Sequence, residues 1–436
     1  MSLGKSMCVD SQHAGVQAEP LRHRSFPAIA VFLVVASYLC LYGLVPRAYS
    51  IGPAVLLLFS AFCIRRGDFR NLNHFDLGRV SAALCLYCLV QWLILALHGE
   101  DISEFDLAFR YIAAAVVLIL VAKYPVSGAS VFVLCAIGAV LAGAYAFYQL
   151  EFQQRVRVDT FDNAIHFGNG SMALAVICLC GLLSGLEKRI SGYLAGVLLL
   201  GFVFGLYAVL ASGSRGVWIA FPVLGIVLVT LYWRRISIGK KLLGGIAVAG
   251  ILGGMTMFQF GTIESRVTQG VDQYSAYFGS GQNGTSVGLR LDMWKAGLVA
   301  FDENPMIGVG PAGVDRVVSG LIDEQLIHPN TASFRHLHNQ FIDILARQGV
   351  VGIAFYILLI GSIINSFLRI FLDVRVSPLG HALSAAGLVF VVQHLIVSLT
   401  LSTLERSIGI MMFLFMVVFL LASAAGERKT VLPANR

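Results

Sequence analysis

Residues 192–211 read GYLAGVLLLGFVFGLYAVLA, an apolar run without a single charged residue. At 1.5 Å per residue, a helix of this length covers roughly 30 Å, the thickness of a bilayer's hydrocarbon core. Runs of the same kind recur near 27–45, 50–64, 80–98, 107–122, 127–148, 167–186, 216–233, 242–260, 345–368, 382–402 and 405–424. They predict an all-α polytopic membrane protein with about twelve transmembrane helices. Composition agrees: of 436 residues, 57% are hydrophobic and 13% charged, and mean hydropathy is +0.80. A soluble domain carries about 25% charged residues, so a soluble enzyme, a disordered tail protein and a coiled coil are excluded. A membrane β-barrel would show alternating segments of about ten residues, and none is visible. The 50–64 run is short for a full crossing and reads as a re-entrant or tilted element. No small-residue cleavage site follows the first apolar run, which therefore reads as a retained span.

Net charge is +7, yet the basic residues sit in short loops between apolar runs, where they set topology; no nucleic-acid partner is expected. With the amino terminus inside, nineteen of the 31 Lys and Arg fall in cytoplasmic segments, among them Arg65, Arg66, Arg234, Arg235, Lys240 and Lys241. Six fall in the short outer segments: Arg47, Arg110, Arg155, Arg157, Arg215 and Arg406. This asymmetry puts both termini in the cytoplasm. The chain then divides into a cytoplasmic segment 1–26, nine spans in 27–260, a large outer loop 261–344, three spans in 345–424 and a cytoplasmic tail 425–436. The eight cysteines lie almost entirely in apolar runs and none lies in the loop, so neither a disulfide framework nor a metal knuckle is suggested.

The outer loop has structure of its own. A helix is expected over 264–278, then a glycine-rich hinge at 279–286. A second, amphipathic helix is expected over 289–301, with Leu291, Trp294, Leu298 and Phe301 on its apolar face. Asn304-Pro305 ends it, and Gly308-Val309-Gly310-Pro311 reads as a turn. Such a loop can lie across the outer leaflet and roof a cavity.

Candidate chemistry clusters on the same side. In Ser212-Gly213-Ser214-Arg215-Gly216 a serine precedes a helix start, where it can cap, and free backbone N–H groups attract anions. Arg215 adds a planar fork suited to phosphate oxygens. The alternative is an interfacial arginine that snorkels to headgroups. Arg290 opens the amphipathic helix; it serves a similar anion or pairs with Asp292. Arg155, Arg157, His166 and Asn169 either extend an anionic site or are plain surface groups. His336-Leu337-His338-Asn339 closes the loop where the tenth span begins. A His-x-His pair can bind metal, but no third ligand is evident nearby, so no metal site is expected. A histidine at a cavity mouth can act as general base near neutral pH. Asp343 and Arg347, four apart, read as an i,i+4 ion pair, and Glu405-Arg406 as another local pair.

His338-Asn339, nine residues, then Gly349-Val350-Val351-Gly352 resembles the signature of bacterial O-antigen ligases. Ser214-Arg215-Gly216, Arg290 with Trp294, and Asn304-Pro305-Met306-Ile307-Gly308-Val309-Gly310 resemble the rest of the pattern. The superfamily also holds O-antigen polymerases and protein O-oligosaccharyltransferases. The resemblance implies a GT-C-like inverting glycosyltransferase at the periplasmic face of the bacterial inner membrane. It would move O-antigen from undecaprenyl pyrophosphate (donor) to lipid A-core oligosaccharide (acceptor), among membrane lipids, with no nucleotide, metal or other cofactor. On this reading His338, Arg215 and Arg290 are catalytic. His336, Asn339, Ser214, Trp294, Arg155, Arg157, His166 and Asn169 would contact substrate. A secondary transporter is the rival from another class; against it, no six-plus-six repeat is evident and few charges lie inside the spans.

Overall fold

The computed structural model describes residues 25–161, 163–187, 189–233, 239, 268–279, 281 and 283–428. Among them the chain is helical throughout, without a strand. Eight helices among the described residues are long and apolar enough to cross a membrane, and the chain is an integral membrane protein. These are α3 (Leu77–His98), α4 (Phe105–Lys123), α5 (Gly128–Glu151), α6 (Ala164–Glu187), α7 (Gly192–Ala211), α13 (Gln340–Leu372), α14 (Pro378–Val397) and α15 (Ser407–Gly426). Three shorter apolar helices coincide with three further expected spans. They are α1 (Phe26–Leu41), α2 (Ala48–Cys63) and the run formed by α8 (Arg215–Trp218) and α9 (Ala220–Tyr232). The 16 residues of α2, with Pro53 inside, reach roughly 24 Å, in keeping with its short reading. The span expected at 242–260 lies outside the described residues, as do the terminal segments 1–24 and 429–436.

Serine starts several of these helices for a physical reason. Ser127, Ser191 and Ser377 accept hydrogen bonds from the backbone N–H of Ser130, Leu194 and Gly380, satisfying donors that a first turn leaves unpaired. Helices α6, α14 and α15 are the most enclosed and form the centre of the bundle. The polar side chains of α14 explain its place: Gln393 donates to Asn169 of α6 at 2.7 Å, and His394 meets the Tyr356 hydroxyl of α13 at 3.1 Å. Hydrocarbon offers such groups no partner, so they turn inward. The outer helices instead leave Leu33, Phe62, Leu93, Leu97 and Leu200 exposed, as a lipid-facing surface requires. Small residues set the close spacing of α5 and α7, where a Cβ on Gly201 would stand 2.7 Å from Ala136.

Contacts sort the connections into two ends. At one end Lys123 pairs with Asp68 (2.8 Å), Arg369 with Asp76 (2.9 Å), and Glu427 accepts from Gly128 N and Ser377 Oγ (both 2.7 Å). At the other, Glu100 accepts from Ala312 N, so the stretch before α4 touches the segment between the ninth and tenth expected spans. That segment holds α10 (268–279), α11 (Ser286–Glu303) and α12 (Gly310–Asp323). Met293, Ala296, Ala300, Val314, Val317, Leu321, Leu337 and Ala346 give it a core of its own, seated on the start of α13.

Two expectations are corrected here. The face that α11 turns inward is Met293, Ala296, Gly297 and Ala300, while Leu298 is 50% exposed. Small residues win because α11 lies close against Leu337 and Ile342, leaving no room for a Cβ at Gly297. The run expected as a span to 402 leaves the helix after Val397, and 398–406 crosses the end of the bundle as an irregular, largely buried segment.

Candidate active site

The first two turns of α13 carry the site. Asn339 Oδ1 accepts from Phe341 N (3.0 Å) and Ile342 N (3.3 Å), capping the helix directly behind His338. His338 itself sits at φ +53°, a left-handed conformation that costs a residue with a side chain about 1–2 kcal/mol. Its ring centroid is 4.4 Å from that of His336 and 5.3 Å from that of Phe334. Burial pushes His338 down to about 3, helped by the charges of His336, Arg290 and Arg406; a hydrogen bond from the ring N–H to the Thr400 backbone carbonyl works the other way. His336 is also lowered, mainly by burial.

Four segments therefore converge on the histidine pair: 334–339, the first half of α11 with Arg290, the 398–406 crossing with Thr400 and Arg406, and the start of α6. His166, in the first turn of α6, feels the charges of both Arg406 and His336. Asn163 Oδ1 caps that turn at the N–H groups of Ile165 and His166. The 212–216 loop joins from the side. Gly216 lies against Thr400 so closely that a Cβ there has no room, and Thr400 in turn bonds the His338 ring. The Arg215 backbone is thus one residue from a contact to the His338 neighbourhood; its side chain lies outside the described residues.

Arg157 belongs to this loop as well. It donates to Ser212 O (2.6 Å) and Ser214 Oγ (3.2 Å). Ser214 Oγ donates onward to Ala164 O (3.0 Å), so the expected helix-capping role is corrected: the hydroxyl ties α6 to the loop. Beyond Asn163, α6 turns Asn169 into the bundle centre against Gln393. Arg155 stays on the surface in an ion pair with Asp159. The structure brings neither Arg155 nor Asn169 to the histidine pair.

Several buried polar atoms have no hydrogen-bond partner within the protein. Among the described residues these include His338 Nδ1, His336 Nε2 and Trp294 Nε1, the last one turn beyond Arg290 on α11. Beside the site, a cavity of about 40 Å³, room for a few waters, is lined by Gln91, Glu104, Gln340, Arg347, Gln348 and Glu405. Burial raises the Glu405 carboxyl, and Arg347 opposes the shift. Among the described residues no three His, Cys, Asp or Glu side chains gather as a metal-binding group.

Residues 200–357 match the O-antigen ligase family. The match supports the superfamily resemblance read from the sequence. It runs from α7 into the middle of α13 and contains Ser214, Arg215, Arg290, Trp294, His336, His338, Asn339 and both glycines of the His-Asn signature. An uncharacterized protein of Haemophilus influenzae is 23% identical over 361 residues, 80% of this chain and 86% of its own length. Within the matched segment the glycines have a visible task. The turn 305–310 docks backbone to backbone on α13, with Val309 N donating to Ala346 O (2.9 Å), Val350 N to Pro305 O (2.8 Å) and Val351 N to Met306 O (3.0 Å). Those last two donors are available because Gly349, at φ +63° and ψ −160°, breaks the helix there.

Sequence reasoning missed two things. Glu405 and Arg406 are not a local pair: Glu405 faces Arg347 at 3.8 Å, while the Arg406 charge reaches His166, His336 and His338. Asp343 and Arg347 do form the expected i,i+4 pair, at 3.0 Å, but it is buried, with Asp343 0% and Arg347 7% exposed. An Asp-Arg pair inside an apolar run was the signal available, since an exposed pair has no need of such surroundings.

Proposed function

We propose that this chain is a glycosyltransferase that ligates O-antigen polysaccharide from undecaprenyl pyrophosphate onto lipid A-core oligosaccharide. It works at the periplasmic face of the inner membrane, with both termini cytoplasmic and the 261–344 loop outside. The observation that carries this reading is the convergence of Arg290, Arg406 and the Arg215 loop on a histidine pair, His336 buried and His338 half-buried, at the end of the bundle. A membrane-bound pyrophosphate needs fixed cations near the membrane surface, and guanidinium groups provide them without a divalent ion. The positive charge of the opposite end, with Arg65, Arg66 and Arg375, supports the orientation.

The chemistry follows from the groups present. An acceptor hydroxyl attacks the anomeric carbon opposite the pyrophosphate; a C–O bond forms as the bond to the leaving oxygen breaks, and the configuration inverts. His338, neutral by burial, takes the hydroxyl proton. The arginines stabilise the charge that grows on the departing pyrophosphate. Arg157 and Ser214 hold the Arg215 loop, Asn339 holds the helix start, and His336, Trp294 and His166 face the substrates. Arg155 and Asn169 act at a distance from the reacting atoms.

Deletion of the gene, followed by a lipopolysaccharide gel, tests the reading. Loss of all O-antigen from the core, with polymer retained on carrier lipid, supports ligation. A core bearing a single repeat unit points to a polymerase and overturns it.

A further inference from the structure

We propose that the buried Asp343–Arg347 pair, closed by Ser402 and Glu405, is a positioning device that sets His338 in the site; this rests on the reading of His338 as the base. The two side chains do more than pair along one helix. Asp343 Oδ2 accepts from Leu337 N at 2.8 Å and from the Ser402 hydroxyl, while Oδ1 accepts from Arg347 Nε at 3.0 Å. Arg347 also donates to the carbonyl of Arg335 and faces Glu405 at 3.8 Å.

The residues tied down in this way alternate with the histidines. Residues 335 and 337 are held by Arg347 and Asp343; Asn339 caps α13, and Gln340 N donates to Ser398 O at 2.8 Å. His336 and His338 lie between these anchors, and His338 keeps its φ of +53°. A non-glycine residue stays in that region when its surroundings over-determine it. The pair therefore joins three segments: the loop bearing His338, the helix α13, and the 398–406 crossing that supplies Thr400 and Arg406 to the same ring. A buried charge pair kept solely for stability is a poor design, because well-packed apolar residues do as well. One whose outward hydrogen bonds all end on the site loop and its neighbour has a positional task.

The test is the double variant Asp343→Asn/Arg347→Met, which removes both charges of the pair together, so that neither is left buried without the other. Glu405, whose carboxyl burial already raises, loses the guanidinium it faced and can take up a proton. In purified, folded protein, kcat is expected to fall at least about tenfold, as misplacement of a base by a fraction of an ångström does. KM for the carrier-linked donor stays within about twofold, since a positioning loss touches the chemical step. In a His338→Gln background the same two substitutions are expected to cost nothing further, because they act through a group already removed. Losses that multiply in that background, or a parental kcat in the double variant, overturn the positioning role while leaving His338 as base intact. Parental activity in His338→Gln alone overturns the base reading itself, and the positioning role with it. Should the double variant fail to fold, Ser402→Ala removes one hydroxyl from Asp343; a smaller kcat loss that vanishes in His338→Gln supports the proposal, and unchanged kcat overturns it.

Discussion

Gly308 and Gly349 lie backbone against backbone: a Cβ built on Gly349 would stand 2.6 Å from the Gly308 nitrogen, and one on Gly308 would stand 2.5 Å from the nitrogen of Gln348. Both residues have φ near +65°, at +68° and +63°. Alanine at either position meets strain of about 1–2 kcal/mol from the left-handed backbone. It also meets backbone atoms that cannot step aside, adding about 1–3 kcal/mol of overpacking. Gly308→Ala and Gly349→Ala are therefore expected to lower the thermal midpoint in detergent, whereas Gly361→Ala, with open space around its Cβ, leaves it unchanged. Equal midpoints for all three would remove the docked turn from the account.

The arginines give the second expectation. Arg290→Ala and Arg215→Ala each remove a charge-assisted contact worth about 1.5–3 kcal/mol. Transfer is expected to fall roughly ten- to a hundredfold in each, with lysine restoring part of it. Arg406→Ala is expected to do likewise, although its position in the chain marked it as a local partner of Glu405. Full transfer rates in all three variants at normal expression would contradict the anion site.

pH dependence follows from His338. Its neutral form is the base, and burial with nearby positive charge holds that form down to about 3. The acid limb of kcat/KM, which reports free enzyme, is thus expected well below the usual histidine value of about 6.5. Bound pyrophosphate favours the imidazolium, so the limb of kcat is expected at higher pH than that of kcat/KM. Arg406→Ala removes one of the charges that depress the ring and moves the free-enzyme limb upward. The linkage sign agrees: with the folded value depressed, the unfolded chain binds more protons, so stability is lost as pH falls from about 6.5 towards about 3. A free-enzyme limb at 6.5, or one that persists unchanged in His338→Gln, contradicts this assignment.

Much of this is legible in the amino-acid sequence. For the eleven expected spans that fall on described residues, apolar runs locate the helices to within about five residues at each end, because a bilayer demands length and little else. The spacing from His338 to Gly349 was readable as a pattern. What it could not reveal was the partner of the glycine, since Gly308 is 41 positions away and the contact is backbone to backbone. The 398–406 crossing was hidden because Leu399, Leu401 and Leu404 keep it apolar; its Ser398, Ser402 and Thr403 are satisfied by His394, Asp343 and one another rather than by water. Likewise, the spacing of Asp343 and Arg347 gave their mutual contact, while Leu337, Ser402 and Glu405 are tertiary partners that no local period encodes.

Sidedness is checked by labelling. A membrane-impermeant maleimide added to intact spheroplasts is expected to modify Asn283→Cys, in the segment before α11, and to miss Gly67→Cys at the opposite end until the membrane is opened. The reverse pattern would place the histidine pair in the cytoplasm.

The most direct measurement is transfer in a purified system. Protein, undecaprenyl-pyrophosphate-linked glycan and lipid A-core are combined with EDTA present, and the product is resolved by mass and by the configuration of the new bond. The account predicts glycan on the core acceptor, inverted at the anomeric carbon, at a rate lowered about 10²–10⁴-fold in His338→Gln. Glycan joined to a second carrier-linked glycan instead, or transfer that EDTA abolishes, would contradict it.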